Sequence, residues 1–154
     1  AERTRNVIAQ LKSYCPQAPV FEAATRIVGF RTIRGRDATH GRPWPWTGRT
    51  VIAVSGLARP HGFEALLRTS GAQIAHHFVY PDHHIYTGEE AEQWRTALER
   101  HGADMLLTTA KDSVKLDEVP LFGIQMLSVE IAMEINEQER WLEFLRQRLN
   151  LQGD

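Results

Sequence analysis

Thr50-Val51-Ile52-Ala53-Val54-Ser55-Gly56-Leu57-Ala58-Arg59-Pro60-His61-Gly62-Phe63 is the stretch from which the fold can be read. Residues of both alternating sets from Val51 to Val54 are apolar, so the spacing predicts a strand buried on both faces. Gly56 to Arg59 is a turn, and Pro60 suits the first position of a helix. That helix carries Phe63, Leu66 and Leu67 and ends at Gly71. The same rhythm repeats downstream. Ala72–Tyr80 reads as a strand and Pro81-Asp82-His83-His84-Ile85-Tyr86 as a loop. Thr87 with Glu90 forms a capping box for a helix to about His101, with Ala91, Trp94 and Leu98 on one face and Gly102 closing it. Met105–Thr108 is a short strand, and Thr109–Asp112 opens a short helix through Val114. Leu121–Val129 reads as a strand, with continuation to Ile135 left open by the spacing. Asn136 with Glu139 then reads as the cap of a last helix that turns Trp141, Leu142, Leu145 and Leu149 inward.

Strands alternating with helices predict an α/β domain, a layered α/β/α arrangement with a largely parallel sheet, over residues 48–154. Upstream, Thr4–Tyr14 has a helical spacing that Pro16 stops, and Pro19–Ala23 and Ile27–Ile33 read as strands. Gly35, Gly41, Pro43, Pro45 and Gly48, with Trp44 and Trp46 among them, read as a hinge, so residues 25–47 are expected to form a linker.

Composition narrows the function. The chain has 154 residues, 42% hydrophobic and 24% charged, ordinary values for one globular domain. Eighteen basic against nineteen acidic residues leave a net charge of −1, so no field draws in nucleic acid. The single cysteine, Cys15, excludes an internal disulfide framework and a cysteine-based zinc cluster. No run of about 18 apolar residues is present to span a bilayer. The opening residues Ala1-Glu2-Arg3 start within a pattern, which leads to the expectation that the chain is part of a longer protein.

Three turns follow strands and precede helices, and ligands of open α/β sheets sit at that edge. Asp82, His83 and His84 are the densest chemical cluster. Histidine titrates near neutrality and serves as base or ligand, and a carboxylate can orient it. Equally, one imidazole could cap backbone groups while the other is solvated, and spacing leaves both readings open. Thr109 to Lys115 is the second cluster: an anion site with Lys111 adding charge, or a plain N-cap by Thr109 with solvated lysines. The Gly56–Arg59 turn by itself reads as a tight connection with an exposed Arg59. His76 and His77 lie inside a strand and point to opposite faces, one at the core edge and one at the surface. The closest imitation of a phosphate-binding loop, Gly41 to Thr50, has its glycines seven apart, Arg49 in place of lysine and two prolines, and it precedes a strand. It is rejected.

Val54-Ser55-Gly56-Leu57-Ala58-Arg59-Pro60-His61-Gly62-Phe63, Phe78-Val79-Tyr80-Pro81-Asp82-His83-His84-Ile85-Tyr86-Thr87 and Leu107-Thr108-Thr109-Ala110-Lys111-Asp112-Ser113-Val114-Lys115-Leu116 stand in order. In that order and spacing they resemble the tetraacyldisaccharide 4'-kinase family, whose corresponding patterns are G-I-x-x-P-x-x-F, F-P-D-H-H-x-Y and T-T-E-K-D-A-V-K. Ala110 replaces the family's usual Glu, and Leu57 its usual Ile.

The resemblance covers roughly Pro19 to Leu149 and implies a C-terminal fragment. Residues 1–24 would be the tail of a P-loop kinase domain, itself a partner of this part. It implies transfer of the ATP γ-phosphoryl group to the 4'-hydroxyl of a tetraacylated glucosamine disaccharide, the lipid A precursor. ATP and Mg²⁺ would be bound mainly by the missing N-terminal half, at the cytoplasmic face of the inner membrane. Peripheral membrane contact would also run through that half, and the fragment alone would be inactive. His83 would work with an aspartate of the missing N-terminal half in activating the acceptor, with Asp82 and His84 in support. His84, Arg59, Thr109, Lys111 and Asp112 would contact substrate, and no metal ligand falls in this half. Two other readings stand beside it. One is a DHH-type phosphoesterase, which needs further aspartates, and Asp37, Asp104 and Asp117 do not suggest ligands. The other is a non-catalytic binding domain.

Overall fold

The computed structural model describes residues 2–34, 39–40 and 43–149. Gly35, Asp37 and Gly41 lie outside the described residues. Element order is α1 (Glu2–Tyr14), β1 (Ala23–Thr32), β2 (Thr50–Ser55), α2 (Pro60–Thr69), β3 (Gln73–Val79), α3 (Gly88–His101), β4 (Met105–Thr109), α4 (Ala110–Ser113), β5 (Met126–Ile135) and α5 (Gln138–Leu149). The chain forms two compact units, residues 25–132 and residues 1–24 with 133–154.

In the larger unit the sheet order is β1-β5-β4-β2-β3. β2 pairs in parallel with β3 and β4, and β4 with β5. β1 runs the other way: Ile33 N–H donates to Met126 O, while Arg31, two residues earlier, lies against Ser128. The expectation of a layered, largely parallel sheet holds. Both faces are covered because both residue sets of β2 are apolar. Val51 and Ala53 pack with Phe63 and Leu67 of α2, whereas Ile52 and Val54 pack with Ala91 and Trp94 of α3. The chain leaves β2 towards β3 but leaves β4 towards β5, so the carboxyl ends of β2 and β4 form the crevice where connections diverge.

Caps follow the sequence. Thr87 and Glu90 make the reciprocal capping box, and Gly102 closes α3 in the left-handed region at φ 57°. Thr109 caps α4 by accepting from Asp112 N–H. His77 is turned inward, its side chain 8% exposed, and His76 is exposed.

Several expectations are corrected. Pro19–Phe21 is not strand; β1 starts at Ala23 and takes in Ile27–Thr32, leaving Ile33 in the turn after it, since Pro16 precedes the Pro19–Phe21 segment and Pro19 opens it without an N–H donor for a ladder. Leu121–Gln125 is a turn, with Phe122 and Gly123 at φ 49° and 78°, and β5 starts only at Met126. Leu121 is buried from that turn, which imitates strand hydrophobicity. Trp44 and Trp46, expected in a linker, are buried, their rings stacked at 5.6 Å. Trp46 Nε1 donates to Ser70 Oγ at 2.8 Å. Two indoles offer more apolar surface than a Pro-rich segment can leave in water.

In the smaller unit, α5 follows Glu137 (φ 56°), whose carbonyl accepts the first helical bond from Trp141 N–H. Asn136 is therefore not the cap, and its N–H donates to Glu22 O. No residue of α5 is fully buried; Phe144 meets Phe21 at 5.7 Å, and Leu149, expected inward, is exposed. No described helix is long and apolar enough to cross a membrane.

Candidate functional site

The three turns lie together beyond the carboxyl ends of β2, β3 and β4, because parallel pairing puts those ends on one edge. Asp112 ties two of them. It has no exposed surface, and its Oδ2 accepts from Gly56 N–H (3.0 Å) and from Thr109 Oγ1 (2.7 Å). Lys115 Nζ lies 3.4 Å from its Oδ1. Gly56 is required by this closeness: a Cβ there would stand 3.0 Å from Asp112 Oδ1 and 3.2 Å from both Pro81 O and Tyr86 Oη. The Tyr86 phenol faces the same carboxylate without hydrogen-bond geometry, and burial, then the Asp112 charge, pushes it far up.

The third turn is attached by Lys111 Nζ, which forms an ion pair with Asp82 Oδ1. That contact holds the Asp82 carboxyl below its ordinary value. His83 N–H also donates to Asp82 Oδ1 (3.0 Å). His83 takes φ 62°, which turns its ring outward; the side chain is 83% exposed, and Nε2 stands 3.7 Å from Asp82 Oδ2. The neighbour diverges. His84 Nε2 sits 2.7 Å from Glu90 Oε1, and its ring stacks on Tyr80 at 4.5 Å. The structure thus brings together Asp82, His83, Lys111, Thr109 and Asp112, and turns His84 towards α3.

Arg59 is exposed at the start of α2. With Lys111 it borders a groove of about 480 Å³ whose walls include Leu57, Phe63, Val129 and Ile131. The sequence marks Lys115 only as the end of the second cluster, whereas its Nζ reaches the buried Asp112. Glu90 carried a capping signal only, and its second oxygen is what reaches His84. Among the described residues no three His, Cys, Asp or Glu side chains gather closely enough to hold a metal ion.

Residues 2–150 match the sequence model of the tetraacyldisaccharide-1-P 4'-kinases. The chain belongs to this family. Similar curated proteins carry the name tetraacyldisaccharide 4'-kinase. One from Rhodopseudomonas palustris BisB5 is 33% identical over 104 residues, covering 67% of this chain and 30% of that protein. One from Anaeromyxobacter sp. strain K is 46% identical over 70 residues, covering 46% and 18%. The chain thus spans about a third or less of these relatives. A crystal structure of LpxK from Aquifex aeolicus in complex with ATP shares the fold, with TM-score 0.52 and 18% identity over 88% of this chain and 40% of that one. Membership of the kinase family replaces the DHH-type phosphoesterase reading.

Proposed function

We propose that the chain is the acceptor-side part of a kinase that phosphorylates the 4'-hydroxyl of a tetraacylated disaccharide 1-phosphate in lipid A biosynthesis. The observation that carries this reading is the shared edge. His83 is exposed beside an Asp82–Lys111 pair, on a platform fixed by the buried Asp112. Phosphoryl transfer depends on positioning, charge stabilisation and a group that takes the hydroxyl proton. With Asp82 on the Nε2 side, His83 Nδ1 is the nitrogen that accepts it. As the sugar oxygen bonds to the γ-phosphorus, the bond to the bridging oxygen of ADP breaks. Arg59, which borders the same groove as the Asp82-paired Lys111, would offer positive charge to the phosphoryl group.

ATP with Mg²⁺ supplies the phosphoryl group. We assign both to an upstream P-loop domain, to which residues 1–24 would belong, because the acid–base groups here fit an acceptor and include no phosphate-binding loop. Thr109 and Asp112 shape the edge, and His84 holds the loop through Glu90. The working place would be the cytoplasmic face of the inner membrane, with peripheral contact through the upstream part. The test joins this chain in frame behind the upstream part of the Anaeromyxobacter relative and measures ATP-dependent phosphorylation of the disaccharide. The joined protein should transfer phosphate and the chain alone should not. A folded but inactive joined protein, or an active lone chain, would refute the proposal.

A further inference from the structure

Behind the Gly56 turn, three side chains form a line, and of them only Ser55 belongs to a stretch that carries the family resemblance. Ser55 Oγ lies 2.9 Å from His77 Nε2, and His77 Nδ1 lies 3.4 Å from Glu64 Oε2. Ser55 is the last residue of β2, His77 sits within β3, and Glu64 is on α2. The composition is that of a hydrolase triad. Ser55, however, has no exposed surface, so no acyl group can reach its hydroxyl. What the line does touch is the site. Ser55 O accepts from Tyr80 N–H (2.9 Å), at the root of the Pro81–Tyr86 loop, and the next amide, Gly56 N–H, is the one held by Asp112.

We propose that Glu64, His77 and Ser55 form a positioning relay that sets the Gly56 turn against Asp112. It rests on the proposed function only for its meaning in catalysis, since the relay itself is read from the turn.

With Glu64 accepting at Nδ1, the neutral imidazole carries its proton there and offers Nε2 as acceptor to the Ser55 hydroxyl. Adding a proton makes Nε2 a donor. Ser55 Oγ must then accept, and its own hydrogen turns into a buried site without that partner. The groups around His77 are few. Glu64 favours the charged ring, but Arg68 holds the other Glu64 oxygen at 2.8 Å. His61 and His76 oppose the charge, and Phe63 packs at 6.2 Å. Burial is the largest influence and holds the imidazole below its ordinary value, so the relay is intact at neutral pH.

The experiment is residue-resolved amide exchange by NMR on the whole chain, from pH 7.5 to below the His77 midpoint, corrected for intrinsic exchange rates. His77 titration is followed in parallel. In the wild type, protection at Gly56 should fall about tenfold or more as His77 titrates, ahead of Leu107 in the central strand. His77→Gln, which keeps a donor and an acceptor, should retain protection and lose that pH response. Ser55→Ala should show reduced, pH-independent protection at Gly56 already at pH 7.5. Flat Gly56 protection through the His77 titration would overturn the proposal. So would a response surviving in His77→Gln, or an equal loss at Gly56 and Leu107. No kinase activity enters the readout, so its failure is separate from failure of the proposed function.

Discussion

Replacing Asp112 with alanine removes one carboxylate and leaves several groups stranded. Gly56 N–H is buried and has that oxygen as its partner; an unsatisfied buried donor costs about 1–3 kcal/mol. The Thr109 hydroxyl, on a residue 8% exposed, loses its acceptor, for roughly another 0.5–1.5 kcal/mol. Lys115 is 23% exposed and can turn to water, so its share is small. The N-cap survives, because Thr109 Oγ1 still accepts from residue 112 N–H. The sum is about 3 kcal/mol. Asp112→Asn keeps one acceptor and should cost about half as much. Urea unfolding followed by tryptophan emission reads this directly in a Trp141→Phe background, where Trp44, Trp46 and Trp94 all report on residues 25–132. A loss under about 1 kcal/mol for Asp112→Ala, or equal losses for both variants, would refute the view that Asp112 pins the Gly56 turn.

Gly56→Ala should destabilise the same transition by about 1–3 kcal/mol, since the new methyl group meets the Asp112 and Tyr86 oxygens and backbone at Pro81; a neutral result would show that the turn yields freely. The Asp82 carboxyl is held low by Lys111, so its contribution is present above its unfolded value and is lost as pH falls through the folded value. Lys111→Met should therefore raise the Asp82 midpoint in an NMR titration, and an unmoved midpoint would break the pairing. Trp46→Ala, which removes a fully buried indole and its bond to Ser70, should cost on the order of 3–5 kcal/mol, against nearly nothing if residues 43–47 were a solvated linker.

Much of the βα series was legible because local chemistry and global packing agree there. Val51 to Ser55 has apolar residues on both faces, Pro60 opens α2, and Thr87 with Glu90 caps α3 as its spacing demands. The grouping of the three turns followed from strand direction. What failed were places where burial is decided by partners far along the chain. Trp44 and Trp46 sit among prolines and glycines that mimic a hinge, yet they cover the α2 face of the sheet. Leu121 is apolar enough for a strand but is buried from a turn. The Asp112–Gly56 bond spans 56 residues, and no local pattern announces it. Adjacent His83 and His84 differ in placement because a positive φ at His83 splays them and Glu90 captures only the second.

The most direct test of the account is phosphate transfer by the joined kinase carrying His83→Ala. His83 is 83% exposed, so its loss should change stability by about 0.5 kcal/mol or less. Loss of a general base should lower turnover on the order of 10²–10⁴-fold. That fall is expected in transfer of the γ-phosphoryl group to the disaccharide, with melting unchanged and His84→Ala less affected. Near-normal turnover in His83→Ala, or a drop in melting temperature large enough to explain the loss, would contradict it.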